Sequence, residues 1–138
     1  MKSPRWDARV VVVSLLLIFF ALPHTLEDFA TGEPAKAGAP IYLLVYLIAG
    51  LFAAQGLGLW WIGCQMRRGY VIQAILGLFW PVAAGAAQLP KVLRQGVSYR
   101  AGFISVFLVA GMIAVGILLL IVSMLALRAG RSGLPRDA

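Results

Sequence analysis

Between Gly102 and Leu127 the chain carries not one charged side chain. Two further stretches share this property, Ile41 to Gly63 and Tyr70 to Leu89. A hydrocarbon layer about 30 Å thick is crossed by roughly 20 apolar residues of helix, because each residue advances the axis by about 1.5 Å. Inside such a layer a backbone finds no water, so every N–H and C=O must be paired within the segment, which a helix achieves alone. Each of the three runs therefore predicts a transmembrane helix. A fourth apolar run, Val10 to Leu22, is shorter and ends at Pro23, giving only about 20 Å of helix. It reaches spanning length when its interfacial ends are included, so the predicted spans lie at about 7–26, 41–63, 70–89 and 102–127.

Composition agrees with this reading. Of the 138 residues 62% are hydrophobic and 12% charged, and mean hydropathy is +0.92, whereas soluble domains average about 45–50% apolar and roughly 25% charged. An ordinary water-soluble enzyme is excluded. A single cysteine excludes a disulfide framework and a zinc site of paired thiols. The fold class predicted is an all-α integral membrane protein, a single transmembrane domain over residues 1–138 built as a four-helix bundle.

The first run, preceded by Lys2, Arg5 and Arg9, also has the length of a secretory h-region, about 7–15 residues. No small-x-small cleavage site follows it, since Ala21 leads into Leu22 and Pro23, so the helix is read as retained. Lys2, Arg5, Arg9, Arg67, Arg68, Arg128, Arg131 and Arg136 fall on one side of the spans, against Lys36, Lys91, Arg94 and Arg100 on the other. Excess Lys and Arg marks the cytoplasmic face, which places both termini there. The net charge of +7 then suits anionic headgroups. No soluble segment interleaves basic and aromatic residues as a nucleic-acid surface would.

The two predicted outer connections carry opposite charge. Glu27, Asp28 and Glu33 lie in the first, and Lys91, Arg94 and Arg100 form a basic second loop without an acid. Attraction between them would dock the hairpins to each other, while two independently solvated loops, or a basic loop on phosphate headgroups, is the alternative. Leu22-Pro23-His24-Thr25-Leu26 and Leu89-Pro90-Lys91-Val92-Leu93 both read Leu-Pro-x-x-Leu, at a separation close to half the chain. That spacing lays the second span on the fourth, as a tandem duplication of a two-helix hairpin requires.

Candidate chemistry is sparse. His24, Glu27 and Asp28 stand at i, i+3 and i+4, one face of a continuing helix. An imidazole beside two carboxylates suits proton handling or a polar ligand group, or simply caps the span at headgroup level. One histidine and two carboxylates fall short of a metal's usual ligand set, and no metal is assigned. Gly50, Ala54 and Gly58 recur every fourth position and predict a flat face for close helix packing or a pocket. Pro81, followed by an Ala-rich run containing Gly85, predicts a kink that packs closely or opens a cavity; Trp80 just before it carries an indole N–H in need of a partner. Gln55 and Gln73 are intramembrane polar groups that join helices or line a site.

No phosphate-cradling Gly-Lys-Ser/Thr loop, paired-cysteine motif or second histidine for a bis-histidine haem is present, and no cofactor is implied. The function expected is therefore non-enzymatic, either an accessory subunit of a membrane complex or a binder of a lipophilic molecule such as a lipid, quinone or isoprenoid. Its partners would be membrane lipid, such a small molecule, and further copies of itself or a larger membrane complex. The alternative is a small proton- or cation-coupled transporter using His24, Glu27 and Asp28.

Overall fold

The computed structural model describes residues 4–130; Lys2, Arg131 and Arg136 of the charge count lie outside them. Six helices follow one another: α1 (Pro4–Ala30), α2 (Glu33–Lys36), α3 (Ile41–Gly63), α4 (Arg67–Ala87), α5 (Leu89–Gln95) and α6 (Phe103–Ala129), with one 3-10 turn at Gly96–Ser98. Four of them, α1, α3, α4 and α6, are long and apolar enough to cross a membrane. No strand occurs among the described residues.

Pro23 does not end the first helix. α1 continues through it to Ala30, so the His24 turn is part of the same helix. Proline removes one backbone donor and crowds the carbonyl four residues back, a cost of about 3 kcal/mol in a helix interior. Tertiary bonds made by the following turn, described below, hold the helix together past this point. The second Leu-Pro-x-x-Leu copy has a different setting, since Pro90 stands in the first turn of α5, where its missing N–H costs nothing.

The α3–α4 connection is a Schellman turn: Met66 N–H donates to Trp61 O at 2.8 Å and Gln65 N–H to Ile62 O at 2.9 Å. Gln65 takes the left-handed position usually filled by glycine, with φ 59°. Its side chain is tied down by donating to Asp7 Oδ2 at 2.7 Å, and Tyr70 donates to the other oxygen of the same carboxylate. The start of α1 is thereby fastened to the α3–α4 turn. Ser105 near the start of α6 meets Glu27 near the end of α1, so α1 and α6 run antiparallel. The first and last described helical turns share the Asp7 end of the bundle, and both long connections share the Arg100 end.

α4 and α6 form the most extensive helix pair, followed by α1 with α6 and α3 with α4. The close approach of α4 to α6 requires glycine at two places. A Cβ on Gly116 would stand 2.5 Å from Pro81 Cγ, and one on Gly77 2.6 Å from the backbone nitrogen of Leu120. Pro81 therefore nests its ring on α6. Around this seam lie Leu17, Met112, Leu119 and Tyr70, all buried. α3 is the outlying helix; Gln55, Gly58 and Ile62, all in its second half, are its buried residues. There α3 and α4 touch backbone to backbone, since a Cβ on Gly69 would meet Gly58 O at 2.6 Å.

A polar clamp at this level joins three helices. Ser14 Oγ donates to Gln73 Oε1 at 2.8 Å, Gln55 Nε2 donates to Ser14 Oγ at 3.0 Å, and Gln73 Nε2 donates to Gln55 O at 2.9 Å. All three side chains are fully buried. Gln55 and Gln73 thus serve to bond α1, α3 and α4 to one another.

Candidate functional site

The last two turns of α1 bring His24, Glu27 and Asp28 onto one face, as their spacing predicts. His24 is only 3% exposed. Its Nδ1 lies 3.8 Å from Glu27 Oε2 and its Nε2 lies 3.6 Å from Asp28 Oδ2, both longer than a hydrogen bond. His24 Nδ1 and Glu27 Oε2 are buried without a hydrogen-bond partner.

The carboxylates are engaged from the opposite hairpin. Arg100, with 7% of its side chain exposed, pairs with Asp28 through Nη1 and approaches Glu33 Oε2 at 3.6 Å through Nη2. Its backbone is left-handed, φ 46°, a strained conformation for a long side chain that surrounding contacts must hold. Gln88, at the end of α4, donates through Nε2 to both Asp28 oxygens at 3.4 Å. Its Oε1 accepts from Arg100 Nη2 at 3.1 Å and from Tyr99 OH. Ser105 Oγ accepts from Ala101 N–H at 3.0 Å and donates to Glu27 Oε1. Glu33 accepts from Lys91 at 2.6 Å and from Lys36 at 3.2 Å.

These contacts set the charge states outside the long helices. The Lys91 ammonium bonded to Glu33 holds that carboxyl down at about 2. Burial pushes the Tyr99 phenol up to about 12, against the lowering effect of Arg100 beside it. Arg100 also covers the Tyr99 ring at 4.9 Å, a cation–π contact. The oppositely charged connections noted in the sequence are thus joined through Lys91 and Arg100, while Arg94 stands exposed on α5.

Immediately beside the network, toward the middle of the bundle, is a cavity of about 230 Å³. Its polar end is made by His24, Asp28 and Gln88. One wall is Leu44, Leu47, Ile48 and Leu51 of α3, at i, i+3, i+4 and i+7, and therefore a single helix face. The facing wall on α4 is Ala83, Ala84 and Ala87, with Phe79 and Trp80 below them. The space exists because α3, held tightly to α4 at Gly58 and Gly69, meets only methyl groups farther along. Leu47 and Phe79 flank its mouth, being 53% and 37% exposed, so the cavity opens sideways on the apolar surface between α3 and α4. A second hollow of about 190 Å³ abuts it, sharing Asp28, Leu44, Ala87 and Gln88 and reaching Glu33 and Lys91.

The Gly and Ala positions singled out in the sequence separate. Gly58 packs against Ile72 and Gln73 of α4, whereas Gly50 and Gly85 have open space where a side chain would stand. Ala54 is half-buried. Pro81 rests on Gly116, and only Trp80 of this group lines the cavity. The Trp80 indole is 5% exposed, and its Nε1 has no partner. Gln88, Tyr99 and Ser105 join the site without having been singled out for it. The available signal for the cavity was a bulky helical face in the second span opposite an Ala run in the third.

Among the described residues no group of three or more His, Cys, Asp and Glu side chains is arranged to hold a metal ion. The chain matches no protein-family model, no curated protein and no solved structure. The geometry alone carries the functional reading.

Proposed function

We propose that this is a four-span membrane protein with both chain ends on the cytoplasmic side, and that it binds a lipophilic molecule with a polar head between α1, α3 and α4. The observation that carries the reading is the cavity, apolar along its walls and polar at one end. Ligand sites share this composition, a mostly apolar lining with a few convergent polar groups. At about 230 Å³ it is smaller than the roughly 300–1,000 Å³ typical of sites that enclose a drug-sized molecule. It therefore takes a head or chain segment, with the rest of the ligand passing between Leu47 and Phe79 into the bilayer. The role is binding, without chemistry at the ligand, within this protein or as its contribution to a larger membrane complex.

Filling the space tests the reading. Ala83→Leu and Ala87→Leu place a branched side chain in the cavity from a helix that tolerates it. Apolar molecules retained by the purified protein in nanodiscs, measured by mass spectrometry, should fall at least about tenfold in the double variant while its helicity is unchanged. Equal retention by the wild type and the filled variant would refute the proposal.

A second reading is proton-coupled transport. It is favoured by His24 Nδ1 and Glu27 Oε2, which face each other at 3.8 Å and are buried without a hydrogen-bond partner. It requires pH-driven flux in liposomes that His24→Ala abolishes; wild-type liposomes showing no flux would dispose of it.

A further inference from the structure

The two ends of the bundle treat their cations differently. At the Arg100 end, Lys36, Lys91 and Arg100 are each paired with a carboxylate. At the Asp7 end stand Arg5, Arg9, Arg67 and Arg68, none of which forms an ion pair among the described residues. The one described acid at that end, Asp7, is already bonded through both of its oxygens, by Gln65 and Tyr70. Arg5 and Arg9 stand at i and i+4 on one face of α1, and both are exposed. Like charges at that spacing repel, so this face calls for an anion from outside the chain.

Beside these charges is room for a hydrocarbon chain. α1 and α6 leave between them an open hollow of about 310 Å³, lined by Ala8, Arg9, Val12, Val13 and Val122. The Arg9 guanidinium leans back toward the start of α1 and lies 4.9 Å over the Trp6 ring, the direction in which helical side chains point and a contact that holds the cation in place. Tryptophan at the end of a span marks the headgroup level. Val12 follows Trp6 by six positions, about 9 Å along a helix. Positive charge therefore lies at headgroup level, with an apolar hollow directly beneath it.

Going beyond the cavity, and at the opposite end of the bundle from it, we propose that Arg5 and Arg9 bind the phosphate of an anionic phospholipid, one acyl chain of which lies in the hollow along Val12, Val13 and Val122. A guanidinium donates paired hydrogen bonds to a phosphate. Phosphatidylcholine offers the same phosphate but brings its own cation, which the arginines of this end repel, so a lipid of net negative charge is selected. The site requires only that the helices lie in a bilayer. It depends neither on the cavity nor on which side of the membrane this end faces.

The full-length protein, reconstituted in nanodiscs of equal phosphatidylglycerol and phosphatidylcholine with matched acyl chains, provides the test, its retained lipids being counted by native mass spectrometry. Wild type should retain phosphatidylglycerol over phosphatidylcholine by about tenfold or more, the order expected of two arginines at an anionic headgroup. Arg5→Gln with Arg9→Gln should bring that ratio to within about twofold of unity. Arg67→Gln with Arg68→Gln, which removes as much charge from the same end, should leave it unchanged. Ala8→Trp fills the hollow from an exposed position with every charge in place, and it should abolish the preference as well. Ala83→Leu with Ala87→Leu should keep it, which separates this site from the binding role of the cavity. Equal retention of the two lipids by wild type overturns the proposal. So does a preference that survives Ala8→Trp or the Arg5 and Arg9 variant, that falls as far with Arg67 and Arg68 replaced, or that is lost when the cavity is filled. Ala8→Trp decides the matter even where the Arg5 and Arg9 variant fails to fold.

Discussion

Arg100 shows how much one side chain can be asked to hold. Its guanidinium lies among Glu27, Asp28 and Glu33 and also bonds Gln88, joining the end of α1 to the α5–α6 connection. Removing one partner of a buried ion pair strands the other charge, at a typical cost of about 3–5 kcal/mol. Arg100→Met should therefore lower the melting temperature in detergent sharply, and Arg100→Lys should recover only part of it, because an ammonium lacks the planar fork that reaches several oxygens. Glu33 contributes a pH dependence of definite sign. Its pKa falls from 4.5 to about 2 in the folded protein, so its stabilisation is present in full above pH 4.5 and is lost as pH drops toward 2. Thermal melts between about pH 6 and pH 3 should show this loss, and Lys91→Met should reduce it, since Lys91 is the main cause of the shift.

At the scale of elements, small residues act in two opposite ways. Gly69 and Gly58 let α3 and α4 touch, and a Cβ on Gly69 would collide with Gly58 O and with Ile62 N at 2.7 Å. Backbone atoms cannot turn aside, so Gly69→Ala should push the helices apart and destabilise by about 1–3 kcal/mol. Gly50→Ala, with nothing within 4 Å, should be neutral or gain up to about 1 kcal/mol from helix propensity. Chemical denaturation of the two variants in one detergent checks the contrast. Both glycines lie in uncharged or nearly uncharged helical runs, and the every-fourth spacing of Gly50, Ala54 and Gly58 by itself reads as one continuous packing stripe. Only its Gly58 end is pressed against α4, because α3 leaves α4 on the other side of that point and its first half faces the cavity and the surrounding surface.

For the whole molecule the proposed topology carries a direct check in the chain's single cysteine. Cys64 is exposed and sits in the α3–α4 turn, at the same end of the bundle as the start of α1 and the end of α6. With that end in the cytoplasm, a membrane-impermeant maleimide should label Cys64 in inside-out vesicles and not in right-side-out ones. The reverse pattern would invert the map and place the His24 network on the cytoplasmic side.

Three of the four long helices were readable in the linear chain as uncharged runs of spanning length, which inside a hydrocarbon layer leave the backbone no other way to pair its polar groups, and the first was readable only with its charged ends included. The meeting of Glu33 with Lys91 and of Asp28 with Arg100 was foreshadowed by the opposite signs of two connections, since charge sign is a property of residues and not of their arrangement. Whether small side chains close a gap or leave one depended on the facing helix. Gly77 meets Gly116 and the backbones touch, while Ala83, Ala84 and Ala87 face a Leu and Ile row on a helix held farther away. That distance is set by the α3–α4 contact several turns off, which no local pattern specifies, and it decided the cavity.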